Sequence, residues 1–357
     1  MPDRFENLRS ARAIVLALGV SLALLVASSC AGDDDGGANA ALATTTTATI
    51  TSKPTTTTTA PTAATRGTYA VGKRTQTFVD SSRATDANHS YKGAPNRTLL
   101  TTIWYPALGD PTKNATADTP ADTEHGPYPL VLMSHGFTAL GSVYGAIASQ
   151  WASAGYVVAA PDYPLSNNKA PGGPVTTDTK NQPADASFVI DQMIATDKSL
   201  FGGNGIIDRD HIGAAGHSLG AITTYGLAYS DCCRDGRIDA AISMSGTTIL
   251  VDAPDHYFHG TTTPLLAVHG DADETLPYSL EKSTYARATK PKFFVTFKGG
   301  SHVRPYIGGD DAQAESFYEF TTAFLDRYLK GDAEGLTRLR TAVATPGANA
   351  TLQEDGA

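Results

Sequence analysis

The chain has 357 residues, 41% of them hydrophobic and 18% charged, enough for one sizeable core, since α/β domains run undivided to about 250 residues. Lys and Arg number 27 against 36 Asp and Glu, a formal net charge of -9 that disfavours attraction to phosphate backbones. Nucleic acid is therefore not an expected partner.

Arg4, Arg9 and Arg12 precede the apolar run "AIVLALGVSLALLVA", which closes on small residues and a cysteine, "SSC". A basic start, an apolar middle and a small-residue end form an export signal, and the uncharged stretch 13–29 is at the short end for a membrane span. The ending "LVASSC" resembles a bacterial lipobox, which implies that Cys30 is lipidated and anchors the protein to the outer face of the cell membrane. Ala27 stands where that pattern usually has Leu, so simple cleavage and free secretion is the alternative. Residues 1–30 thus read as a leader, and 31–65 as a tether. The tether is rich in Thr and Ala and lacks the apolar periodicity that a core requires. As a flexible coil of about 35 residues, it would hold a domain on the order of 30 Å from its anchor.

Beyond residue 66, short apolar runs alternate with helical stretches. Strands are predicted at "TLLTTIWYP", "YPLVLMSHG", "YVVAAPDY", "HIGAAGHS", "IDAAISMSG", "TPLLAVHGD" and "KFFVTFKGG", and helices over 142–154, 184–196, 219–229, 278–289 and 312–329. Regular alternation implies a mostly parallel sheet with helices on both faces, a three-layer α/β/α sandwich. Its expected span is 66–335, with 336–357 as a C-terminal tail. The segment "PLSNNKAPGGPVTTDTKNQP" reads either as a mobile rim of the site or as an ordinary connector.

In such a sheet, function gathers at the carboxyl ends of the strands. One of those ends reads "GHSLG", a pattern that 34 glycines would produce by accident roughly 0.2 times. Its setting adds weight: an apolar strand precedes Ser218 and a helix follows, so the hydroxyl would stand exposed on a sharp turn at a helix N-terminus. A serine hydroxyl needs a base, and the base needs a carboxylate to orient it. In sites of this kind the acid and then the histidine follow the nucleophile, which leaves His256, His259, His269 and His302. His302 follows the last predicted strand and two glycines that would let a loop swing back, whereas the other three read as structural or surface residues. The turn "DADETLP" offers Asp271, Asp273 and Glu274 as the acid. Asp273 is favoured, because Asp271 directly follows Gly270, where a short carboxylate commonly caps local backbone. The N–H groups of Leu219 and Phe137 are the candidate oxyanion donors, and His135 reads as a residue that bonds to loop backbone. Cys232 and Cys233 are adjacent; free thiols, a vicinal bridge and an intermolecular bond are all open.

The segments "LVLMSHGFTALGSVYGAIASQWASAGYVVAAPDY", "DRDHIGAAGHSLGA", "LLAVHGDADETLP" and "GGSHV" resemble the α/β-hydrolases. Within them, the similarity is to the branch of cutinases, platelet-activating-factor acetylhydrolases and dienelactone-hydrolase-like esterases. It runs over about 99–329 and implies a triad of Ser218, Asp273 and His302, no metal and no cofactor. Dienelactone hydrolases carry cysteine where this chain has Ser218, which disfavours that activity. The expectation is an exported serine esterase acting on small-molecule, lipid or polyester esters, with activity falling in acid as His302 is protonated. The alternatives are a serine peptidase or acyltransferase on the same fold, and a surface-binding lipoprotein without catalysis.

Overall fold

The computed structural model describes residues 67, 69–111, 114–248 and 254–357. The expected leader, Cys30 and the tether lie outside the described residues. The strands are β1 (Ala70–Asp80), β2 (Arg97–Ala107), β3 (Thr116–Ala117), β4 (Tyr128–Ser134), β5 (Val157–Asp162), β6 (Ile207–His217), β7 (Ile238–Met244), β8 (Leu265–Gly270), β9 (Lys292–Phe297) and β10 (Ala350–Asp355). They form one sheet in the order β10-β9-β8-β7-β6-β4-β5-β2-β1-β3. Pairing is parallel from β5 through β4, β6, β7 and β8 to β9. At the margins, β5–β2, β2–β1 and β9–β10 are antiparallel.

The helices are α1 (Gly145–Ser153), α2 (Gln182–Phe201), α3 (Leu219–Tyr229), α4 (Tyr278–Arg287), α5 (Ala312–Leu329) and α6 (Gly335–Val343). They explain why the central strands carry apolar runs with no polar alternation. In β4, Leu130 and Leu132 face a core built with α2, α3 and α4, while Val131 and Met133 face a second core built with α1, α5 and α6. Both faces are covered, and each large side chain removed from water adds roughly 1.5–3 kcal/mol. Helix α3 is buried along its whole length, which is why "LGAITTYGLAY" is apolar on every side. No described helix is long and apolar enough to cross a membrane.

One expectation needs correction. Residues 336–357 are not a tail: α6 sends Leu339, Ala342 and Val343 into the second core, and β10 pairs with β9 from Ala350↔Phe297 to Asp355↔Lys292. Of the two readings of the segment 164–183, its hydrogen bonds favour the ordinary connector. Val175 N–H donates to the Leu165 carbonyl at 2.7 Å, and the Asn88 side-chain amide reaches the carbonyls of Pro171 and Gly173 at 2.9 and 2.6 Å. Gln182 continues the lashing, donating to Ser166 Oγ at 2.8 Å and accepting from Thr223 Oγ1 on α3. Cys232 and Cys233 form a vicinal disulfide just beyond α3, at the end away from Ser218.

Candidate active site

Strand β6 ends at His217 and α3 begins at Leu219, leaving Ser218 alone on the turn with φ 57° and ψ -118°. That conformation is costly for a residue with a Cβ and persists only where the surroundings over-determine it. Here they do so through two glycines. A Cβ on Gly216 would lie 2.1 Å from the Gly220 carbonyl oxygen, and one on Gly220 would lie 2.1 Å from that of Ser134. The pentapeptide is thus pressed against itself and against the end of β4. The turn also places Ser218 at the N-terminus of a buried helix, where free N–H groups favour negative charge.

Two further turns meet it. Those after β8 and β9 are bound to one another: Ala272 N–H donates to the Gly300 carbonyl at 3.1 Å, and Gly299 N–H donates to Asp271 Oδ1 at 2.6 Å. A Cβ on Gly270 would lie 2.2 Å from the Gly300 oxygen, so the contact requires glycine there. This pairing presents Asp273 to His302, with Oδ2 2.7 Å from Nδ1, and leaves His302 Nε2 2.8 Å from Ser218 Oγ. The carboxylate fixes the tautomer, with the proton on Nδ1 and a free lone pair on Nε2 facing the hydroxyl. Burial alone would raise the Asp273 carboxyl, but hydrogen bonds from His269 and His302 hold it well below the usual carboxylate range.

Of the remaining candidates, Asp271 serves the neighbouring loop, and Glu274, His256 and His259 are exposed. His135 is fully buried between the Gly136 carbonyl and the Tyr163 N–H, and burial pushes it down to about 4. Gly136 packs on the nucleophile turn, where a Cβ would lie 3.3 Å from His217 Nδ1. Phe137 follows Gly136 directly. Neither the Phe137 nor the Leu219 N–H donates a hydrogen bond among the described residues. Among those residues, too, no group of three His, Cys, Asp or Glu side chains is placed to hold a metal ion.

Four contributors were not legible as site residues. Tyr144 OH accepts from the Gly136 N–H at 3.0 Å and lies 2.8 Å from His217 Nδ1, whose Nε2 is 2.7 Å from the His302 carbonyl. The Gly136 loop, the Ser218 turn and His302 are thereby joined by one chain of hydrogen bonds. His217 has a position next to Ser218 that marks it as scaffold, but nothing local shows that it grips the base. His269 and Glu281 adjoin the acid and are taken up below.

The family described as platelet-activating factor acetylhydrolase, isoform II, matches residues 89–186. That stretch holds the β2, β4, α1 and β5 side of the site, including Phe137, and none of Ser218, Asp273 and His302. No curated protein matches the sequence. Among solved structures, a ferulic acid esterase from Streptomyces cinnamoneus is similar at 23% identity and a TM-score of 0.61, over 82% of this chain and 98% of that one. The fold is that of the α/β-hydrolases. Both likenesses agree with that fold.

Proposed function

We propose that the protein is an exported serine esterase with Ser218 as nucleophile, His302 as base and Asp273 as the acid that orients it. The observation that carries this reading is the unbroken contact series from Ser218 Oγ to His302 Nε2 at 2.8 Å and from His302 Nδ1 to Asp273 Oδ2 at 2.7 Å. His302 takes the hydroxyl proton as Ser218 Oγ bonds to the ester carbonyl carbon. The tetrahedral oxyanion accepts from the N–H groups of Leu219 and Phe137, donors whose individual loss typically costs about 100- to 1000-fold in rate. Collapse expels the alcohol, which takes its proton from His302, and water releases the acyl group by the same steps.

The substrate class follows the likenesses: a carboxylic ester, with small acyl or aromatic acyl groups as the first to try. The basic, apolar and small-residue pattern that ends on Cys30 supports export with a lipid anchor on the outer face of the membrane, with free secretion as the alternative. A fluorophosphonate should label the purified wild-type protein and fail to label Ser218→Ala, with ester hydrolysis lost in parallel. Labelling that persists in Ser218→Ala would sink the assignment. For the anchor, Cys30→Ser should move the protein from the membrane fraction to the medium.

A further inference from the structure

Asp273 serves two histidines. Its Oδ2 lies 2.7 Å from His302 Nδ1 and 3.0 Å from His269 Nε2, while its Oδ1 accepts the N–H groups of Thr275 and Leu276, both at 2.8 Å. His269 continues the series away from the nucleophile, its Nδ1 standing 2.6 Å from Glu281 Oε2. The side chains of His269, Asp273 and Glu281 are all 0% exposed. A buried carboxylate on α4 is thereby connected, through one imidazole, to the acid of the triad.

The partners fix the protons. Nε2 of His269 faces the Asp273 carboxylate and the Leu276 carbonyl at 3.0 Å, both acceptors, so it carries a proton. Glu281 Oε1 accepts from Ser243 Oγ and from Tyr225 OH at 3.2 Å, and Oε2 accepts from the Gly246 N–H at 2.9 Å. Donors at both oxygens stabilise negative charge on Glu281, and the proton in its contact with His269 Nδ1 is thereby drawn to the ring. His269 is then an imidazolium held between two carboxylates. Burial opposes that charge, but Asp273 and Glu281 outweigh it and push His269 up to about 10.

We propose that His269 and Glu281 are positioning residues for the esterase reaction: Glu281 keeps His269 cationic, and that cation orients Asp273 and offsets part of its charge, lowering the pH at which His302 becomes a free base. The inference rests on the triad reading above. An uncompensated carboxylate beside His302 favours its imidazolium, which cannot accept the serine proton; a cation bonded to the same oxygen weakens that pull. Among the described residues, the other groups facing this cluster carry no charge. They are His217 behind His302, Tyr225 from α3, Ser243 from β7, Tyr278 with its ring 5.7 Å from that of His269, and Tyr306, whose OH donates to the Val268 carbonyl. The charged neighbours Asp271, Glu274, Lys282, Arg287 and Arg304 are exposed.

The test is kcat/KM for a short-chain p-nitrophenyl ester as a function of pH, in the full chain with Glu281→Gln and with His269→Gln. The glutamine at 269 keeps a neutral donor for Asp273. In both variants the acid limb should move up by about one pH unit, a tenfold change in the protonation equilibrium. An acid limb that stays in place, in variants that still melt cooperatively and still take a fluorophosphonate at Ser218, overturns the proposal. Imidazole ¹⁵N spectra of the wild-type protein give a second readout that needs no variant to fold. A doubly protonated His269 at neutral pH supports the proposal, and a neutral ring overturns it. Failure of the esterase reading would show elsewhere, as wild-type ester hydrolysis that survives Ser218→Ala.

Discussion

Two buried histidines flank His302, the proposed base, and their environments drive them in opposite directions. His217 and His269 both stand at the carboxyl end of a central strand, 3% and 0% exposed. His217 touches the main-chain carbonyl of His302 and the Tyr144 hydroxyl, partners without full charge, so burial takes it down to about 3. Burial acts on His269 in the same sense, yet two carboxylates overcome it and push it up to about 10. The comparison teaches that burial sets a cost for charge, and the partners decide whether that cost is met. The nucleophile side of the site is built neutral, and the acid side is built charged.

The strongest test of this asymmetry removes charge from the acid side. Asp273→Asn should lower kcat by about 1000- to 10 000-fold, because the neutral amide no longer stabilises the His302 imidazolium or fixes its tautomer. Fluorophosphonate labelling rates would report the same loss. On the neutral side, His217→Gln should lower kcat by roughly tenfold, through a loosened His302 backbone, and leave the acid limb of the pH profile in place. A shifted limb there would mean that His217 carries charge, and the contrast between the two sides would collapse.

Stability should show the same division. His217 is lowered from 6.5 to about 3, so its contribution is present above 6.5 and lost as pH falls toward 3. His269 is raised from 6.5 to about 10, so its contribution is present below 6.5 and lost as pH rises toward 10. Melting temperatures measured across the alkaline window should therefore fall less in Glu281→Gln than in wild type. A variant as sensitive to alkali as the wild type would show that the Glu281 carboxylate is not what holds the His269 charge.

The two sides also differ in how much of them could be read from sequence. Ser218 was legible because a strand, two glycines and a helix are contiguous with it, and the local backbone itself builds the turn. Asp273 and His302 were legible because each follows a strand in the required order. Glu281 lies in the helix "YSLEKSTYAR", one of 36 acidic residues, and nothing nearby distinguishes it from a solvated one. Its role exists only because α4 lays it against Ser243, Gly246 and His269. Tyr144 is hidden for the same reason: it lies 73 positions from the His217 it touches. For the fold, the seven predicted strands are present: six are parallel, buried and continuously apolar, and β2, antiparallel to both neighbours, is buried over its last seven residues. Strand β10 escaped because it is a short edge strand whose residues stay exposed or half-buried, so that the alternation of "ATLQED" stops after four residues. Strand β1, "AVGKRTQTFVD", is broken by polar residues for a similar reason.

The smallest expected effect sharpens what "charged side" means. Asp271 lies two positions from Asp273 and bears the same formal charge, but it is exposed and accepts from the Gly299 N–H at 2.6 Å. If the acid turn acted through its summed negative field, removing this charge would move the pH profile in the direction opposite to Glu281→Gln. Solvent screens an exposed charge, however, and its hydrogen bond needs only an acceptor oxygen, which asparagine retains. Asp271→Asn should therefore keep kcat/KM within about twofold and stability within about 1 kcal/mol, with an unmoved acid limb. Asp271→Leu, which cannot accept from Gly299, should lower the melting temperature further by loosening the paired turns. If the asparagine variant shifted the limb as strongly as a change at His269, charge anywhere in the turn would suffice, and the specific series from Glu281 to Asp273 would lose its meaning.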